Sequence, residues 1–307
     1  MEADHVKGLI DVERVIVSKN PALLKILHGF IITWLKRIIH KDRVNEYIRK
    51  HADVTGLPFV EAILKEFGVR IEVEIDERRG TTPFAEASEV IKGEERWTKD
   101  GVDERMNLRQ LFDQKRCIVV ANHPLGGLDG MALMHVIGKV RSDIVFPVND
   151  LLMNVPGLKP LFIPINKHGS NIENVQLINA TFASEKVILY FPAGLVSRKQ
   201  KGGIITDLEW KKTFITKARQ YQRDIIPVYI KGRNSDRFYN FARWRKRLRI
   251  KANIEMIFLV DEMMKQKDKT IRLIFGSPIQ WSTFTRAKND HEWAKFVRGQ
   301  VYHLSGY

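Results

Sequence analysis

A histidine and an aspartate share one short stretch, Ala121-Asn122-His123-Pro124-Leu125-Gly126-Gly127-Leu128-Asp129. An aspartate that accepts a hydrogen bond from one imidazole nitrogen fixes the tautomer and stabilises the imidazolium. The other nitrogen is then free to take a proton from a hydroxyl. His123 and Asp129 are therefore a candidate general base and its orienting partner. The residues around them say where they must sit. Cys117-Ile118-Val119-Val120 reads as a buried strand, and Gly130 to Ile137 reads as a helix. The carboxyl end of a strand, where the chain turns into a helix, is where open α/β sheets carry their reactive groups.

Further apolar runs follow at Ile144–Val148, Leu161–Ile165, Val187–Phe191, Ile225–Ile230 and Ile271–Phe275. Helical patterns separate several of them, at Met131–Val140, Glu173–Ala183, Asp207–Gln222 and Phe238–Arg247, and Asp290–Leu304 predicts a last helix. This alternation predicts an α/β fold with a mixed, largely parallel sheet covered by helices on both faces. Arg70–Ile75 alternates as a strand does, while Arg43–His51 and Val60–Phe67 read as helices, the second ended by Gly68. Residues 1–68 thus read as a helical N-terminal unit and residues 69–307 as the α/β domain.

The 307 residues carry 51 Lys and Arg against 36 Asp and Glu, a net charge of +15 that calls for an anionic partner. No helix-turn-helix, zinc-finger or RNA-binding signature is present, which argues against nucleic acid. The single cysteine, Cys117, lies inside an apolar strand, where it reads as a small buried hydrophobe and points to a reducing compartment. The acidic first residues, Met1 to His5, hold no apolar core, so no signal peptide is expected. No stretch is long and clean enough to span a bilayer. Ala22 to His40 is amphipathic: Phe30 and Trp34 lie on its apolar face, and Lys36 and Arg37 on its polar one. That pattern fits a helix in the membrane interface and equally one packed on the protein's own core. The densest positive run, Arg243-Trp244-Arg245-Lys246-Arg247-Leu248-Arg249-Ile250-Lys251, reads either as a solvated helix face or as a contact for anionic head groups or an acidic carrier protein.

Three more blocks follow or overlap strand-like runs: Phe162-Ile163-Pro164-Ile165-Asn166-Lys167, Phe191-Pro192-Ala193-Gly194-Leu195-Val196-Ser197-Arg198, and Ile225-Ile226-Pro227-Val228. With the His123 block they resemble, in order and spacing, the four blocks of the glycerolipid and lysophospholipid (PlsC-like) acyltransferases: NH-x4-D, a block ending in a basic residue, an FPEGTRS-like block and an IPV-like block. The resemblance covers about residues 115–280. The Gly-Gly-Leu-Asp-Gly form of the first block is further similar to the bacterial O-acyltransferases of ornithine or glycine lipids.

The resemblance implies that His123, oriented by Asp129, deprotonates an acceptor hydroxyl that attacks an acyl thioester of acyl carrier protein or coenzyme A. It implies substrate-binding roles for Asn122, Gly126, Gly127, Lys167, Gly194, Ser197 and Arg198, with the oxyanion held by main-chain N–H groups near Gly126, Gly127 or Gly194. It implies neither metal nor cofactor, and an enzyme held peripherally at the cytoplasmic side of the inner membrane, on an anionic lipid surface, with residues 1–68 as the membrane-docking unit and residues 69–307 as the acyltransferase domain. The chain departs from the pattern in three ways. Five residues, not four, separate His123 from Asp129, the block's usual glutamate and arginine are Ala193 and Val196, and the second block carries Lys167 in place of arginine. These losses point away from a phosphorylated acceptor and towards a lysolipid with another head group, such as a lyso-amino-acid lipid. The competing readings are a catalytically inactive lipid-binding relative and a nucleic-acid-binding protein.

Overall fold

The computed structural model describes residues 33, 36–76, 98–99, 102–113, 116–148, 152–165, 172–249 and 253–306. The chain opens with α1 (Lys41–Lys50), α2 (Leu57–Glu66), β1 (Arg70–Ile75), the short pair β2 (Thr98–Lys99) and β3 (Val102–Asp103), and α3 (Glu104–Phe112). The middle comprises β4 (Cys117–Ala121), α4 (Gly127–Gly138), β5 (Ile144–Val148), β6 (Phe162–Pro164), α5 (Ile172–Ala183), β7 (Val187–Tyr190) and the hairpin of β8 (Arg198–Lys199) and β9 (Ile205–Thr206). The remainder holds α6 (Thr213–Gln220), β10 (Asp224–Lys231), α7 (Asp236–Arg247), α8 (Leu259–Met264), β11 (Thr270–Phe275) and α9 (Asp290–His303).

Seven strands form one sheet in the order β1-β11-β10-β4-β7-β5-β6. The strands from β10 to β6 are mutually parallel, β11 is antiparallel to β10, and β1 is parallel to β11. This is the mixed, largely parallel sheet that the alternation predicts. The central strand β4 is buried along its whole length, so its sequence is a continuous apolar run. Its side chains still alternate. Cys117, Val119 and Ala121 face a core built with α2, α3 and α4, whereas Ile118 and Val120 face a second core with α6 and α9. Burial pushes the Cys117 thiol up to about 12, as suits a packing residue rather than a nucleophile.

Phe59, Val60, Ile63 and Leu64 of α2 belong to the first core, so residues read as part of the N-terminal unit are built into the sheet's covering layer. Gly157 admits the ring of Phe59 where any side chain would collide with it. Of the amphipathic stretch Ala22–His40, Phe30 and Trp34 lie outside the described residues, as do Lys167 and His168 of the second block. Among the described residues no helix is long and apolar enough to cross a membrane. The helix expected over Asp207–Gln222 begins only at Thr213. Asp207 stays out of it because its main chain and carboxylate are held elsewhere: its N–H donates to the Tyr302 hydroxyl (2.7 Å), and its carbonyl accepts from Arg298 (2.9 Å).

Arg223, which is fully buried, secures the far end of the sheet. It donates to the carbonyls of Phe182, Lys186 and Ser184 around the end of α5 and the start of β7. Burial lowers its pKa to about 10, still far above neutrality. A guanidinium can make this bouquet because it offers five donors in a fixed plane.

Candidate active site

The parallel strands deliver their carboxyl ends to one edge, and the chain leaves β4 there through Asn122 and His123. Asn122 acts as a side-chain imitation of a strand: its Nδ2 donates to the Ile230 carbonyl (2.9 Å), and its Oδ1 accepts from the Ile230 N–H (2.7 Å). It is 3 % exposed, so it fastens the end of β4 to β10 and presents no polar atom to a substrate.

The His123 main chain is held at both ends. Its N–H donates to Asp207 Oδ1 (3.1 Å), and its carbonyl accepts from the Ser197 N–H (2.7 Å), with the Ser197 hydroxyl oxygen 3.2 Å away. Ser197 also donates to Asp207 (2.6 Å), whose other oxygen accepts from Trp210 (3.0 Å). Burial pushes the Asp207 carboxyl up, against these hydrogen bonds. Asp207 is the principal residue that sequence reasoning missed. It carries no motif and looked like the first residue of a helix, and only the fold brings it to His123.

The imidazole Nδ1 lies 3.1 Å from both oxygens of Asp129. That carboxylate is fully buried, and it also accepts from the N–H groups of Leu125 (2.8 Å), Gly126 (3.2 Å) and Gly130 (2.8 Å). With four donors around it, Asp129 serves as an acceptor only, so Nδ1 carries the proton and Nε2 the lone pair. Among the described residues Nε2 makes no hydrogen bond, and the side chain is 17 % exposed. Gly126 takes φ 90°, ψ −119°, a backbone conformation open to glycine, and this turn accommodates the extra residue between His123 and Asp129. Phe191, at the end of β7, stacks on the imidazole with ring centroids 4.1 Å apart and 20° between planes.

Burial opposes a charge on His123. The Asp129 carboxylate, through its charge and its hydrogen bond, outweighs burial, with a smaller contribution from Asp207, and the pKa stands above its ordinary value.

The other residues singled out from the sequence divide. Ser197 joins the His123 cluster, as just described. Gly194 lies in the turn after β7 at φ 65°, and its N–H is taken by the Phe191 carbonyl (3.0 Å). Gly126 gives its N–H to Asp129, whereas that of Gly127, the exposed first residue of α4, makes no hydrogen bond among the described residues. Arg198 turns inward. Its guanidinium lies 2.9 Å from the buried Glu255, which also meets Arg245 at 2.7 Å, and it covers the ring of Phe238. Ala193 is buried in the second apolar core. Val196, fully buried, packs against the turn at Gly126. Where the family pattern carries a glutamate and an arginine, this chain has apolar packing.

Comparison with known proteins identifies the family. The acyltransferase family profile matches residues 14–85 and 96–306. The chain is 41 % identical over 298 residues to the lyso-glycine lipid O-acyltransferase of Phocaeicola vulgatus, covering 96 % of this chain and 95 % of that protein. It is 40 % identical to the lyso-glycine lipid O-acyltransferase of Bacteroides thetaiotaomicron, covering 96 % and 97 %. Among solved structures it aligns with the 1-acyl-sn-glycerophosphate acyltransferase PlsC of Thermotoga maritima over 81 % of this chain and 83 % of that one, at 15 % identity and a TM-score of 0.40. With a family profile and two relatives matched over nearly the whole sequence, this chain belongs to the acyltransferase family and is an acyl-transferring enzyme.

Proposed function

We propose that this enzyme moves a fatty acyl group from an acyl thioester to the hydroxyl of a lyso-amino-acid lipid, with His123 as general base. The acceptor is of the lyso-glycine type, its free hydroxyl carried on a 3-hydroxyacyl chain. The observation that carries the reading is an imidazole whose Nδ1 is committed to a buried carboxylate and whose Nε2 is open. The relatives' activity on lyso-glycine lipid supports the acceptor class.

In this mechanism Nε2 takes the hydroxyl proton as the oxygen attacks the thioester carbonyl. The tetrahedral oxyanion is met by a main-chain donor. The Gly126 and Gly194 N–H groups are already engaged, so the Gly127 N–H at the start of α4, with the helix dipole behind it, is the donor of choice. On collapse the imidazolium returns the proton to the departing sulfur, giving an ester and a free thiol. Acyl carrier protein and coenzyme A are both acidic donors suited to a +15 chain, and the reaction takes place at the cytoplasmic face of the inner membrane.

The test is acyl transfer by the full chain across lyso-glycine lipid, lyso-ornithine lipid and lysophosphatidate, with both donors. Arg198 is bound to Glu255, so no guanidinium from the third block greets a phosphate. A missing charge-assisted hydrogen bond costs roughly 1.5–3 kcal/mol. Lysophosphatidate should therefore be used at least about tenfold less well. Equal or better use of lysophosphatidate overturns the acceptor assignment.

The pH dependence follows from the raised pKa of His123. The base must be neutral, so kcat/KM should rise with pH through an inflection above the ordinary histidine value of about 6.5. For stability the sign is opposite: the imidazolium–Asp129 contribution is fully present below about 6.5 and is lost as pH rises through the folded-state pKa. An acid limb that inflects below 6 would show that another group controls the rate.

A further inference from the structure

Away from His123, a groove of about 680 Å³ opens between the β8–β9 hairpin and α7, and Lys201, Arg243, Trp244, Lys246 and Arg247 are among the residues that line it. Among the described residues, none of these four cations forms an ion pair, whereas Lys199 beside them approaches Asp236 at 4.0 Å. The surface is also apolar at its tips. Trp244 and Leu248, one helical turn apart, are 54 % and 51 % exposed, and Ile204 at the end of the hairpin is 64 % exposed.

Large exposed side chains ringed by unpaired cations are the anatomy of a surface that lies on an anionic bilayer: the rings and aliphatic tips enter the head-group boundary and the cations meet phosphates. Two connections within the fold support that occupant. Ile38, at the end of the amphipathic N-terminal stretch, packs on the small core of Phe238, Tyr239 and Phe258 beneath α7, and His40 bonds Asp261 (2.9 Å) just beyond it. The described end of that stretch is therefore held against the inner side of α7. Lys199 is also only two residues from Ser197, which holds the His123 carbonyl, so the surface adjoins the reacting edge of the sheet.

We propose that α7 and the β8–β9 hairpin form a docking face for an anionic lipid bilayer, which turns the His123 edge towards acceptor lipid. The inference deepens the lysolipid reading above and rests on it for its purpose. It is tested with the full chain and two variants, Lys201→Glu/Arg243→Glu/Lys246→Glu/Arg247→Glu and Trp244→Ala, whose changes are all at exposed positions. Binding is measured by flotation on vesicles of phosphatidylcholine with 30 % phosphatidylglycerol and on phosphatidylcholine alone, with thermal melts checking the fold. Each surface cation is worth roughly fivefold in partition, so the fourfold charge reversal should weaken binding to anionic vesicles by at least about 100-fold. Turnover of vesicle-embedded acceptor should fall in parallel, with turnover of a short-chain, monomerically dispersed acceptor kept. Trp244→Ala should lose several-fold on both vesicle types. Unchanged partition of both folded variants overturns the proposal. So does loss of activity confined to acyl carrier protein as donor with vesicle binding intact, which would make the groove a carrier-protein dock. Wild-type chain that floats on anionic vesicles but transfers acyl groups to no acceptor would sink the functional reading and leave the docking face standing.

Discussion

Asp129→Asn should lower kcat/KM by about 10³ to 10⁴, as little as His123→Ala spares, with the double variant no worse than either single one. The reason lies in the donors aimed at this carboxylate: the His123 Nδ1 and the N–H groups of Leu125, Gly126 and Gly130. An asparagine offers one acceptor oxygen and an amide nitrogen that is itself a donor. If the oxygen keeps the turn, the NH2 group faces Nδ1, the imidazole moves its proton to Nε2, and the base is lost. If the oxygen keeps the imidazole, the start of α4 loses its anchor. Steady-state kinetics on the preferred acceptor, at a temperature where circular dichroism shows the variant folded, decides the matter. Retention of more than a tenth of the activity would remove Asp129 from the mechanism.

The second large effect is on stability. Glu255→Ala should cost about 3–5 kcal/mol in urea unfolding, because it strands Arg198 and Arg245 together in the interior. Burial already presses on the Arg198 charge, which Glu255 relieves by hydrogen bond and charge. The cluster ties β8, α7 and the segment around Glu255, and β8 continues from Ser197, so the loss should spread towards His123. Replacing Arg198, Arg245 and Glu255 together by apolar residues should cost far less than the single change, since no unpaired charge remains. A loss under 1 kcal/mol for Glu255→Ala would mean that water reaches the guanidinium groups.

Much of this could be read from the residues alone, for physical reasons that also mark the limit. β4 and β10 declare themselves because strands buried on both faces must be apolar throughout. The His123–Asp129 pair is legible because six positions of chain hold both groups together with the cap that positions them. The direction of Arg198 was not legible: its partner Glu255 is 57 residues away, and no periodicity reports it. Asp207 was hidden for the same reason, with its contacts at Ser197, His123 and Tyr302 scattered over the chain. The fold depends on patterns repeated along the sequence, whereas the supports of the site are single long-range contacts that leave no local trace.

The ring of Phe191 lies flat on one side of the His123 imidazole. A base with one side sealed can be reached only along its edge and from the other side. An alcohol that brings its oxygen to Nε2 must therefore keep its bulk on the side away from Phe191, so the stack halves the directions from which a hydroxyl can approach the base and turns away any acceptor whose carbinol carbon needs room on both sides of the imidazole plane.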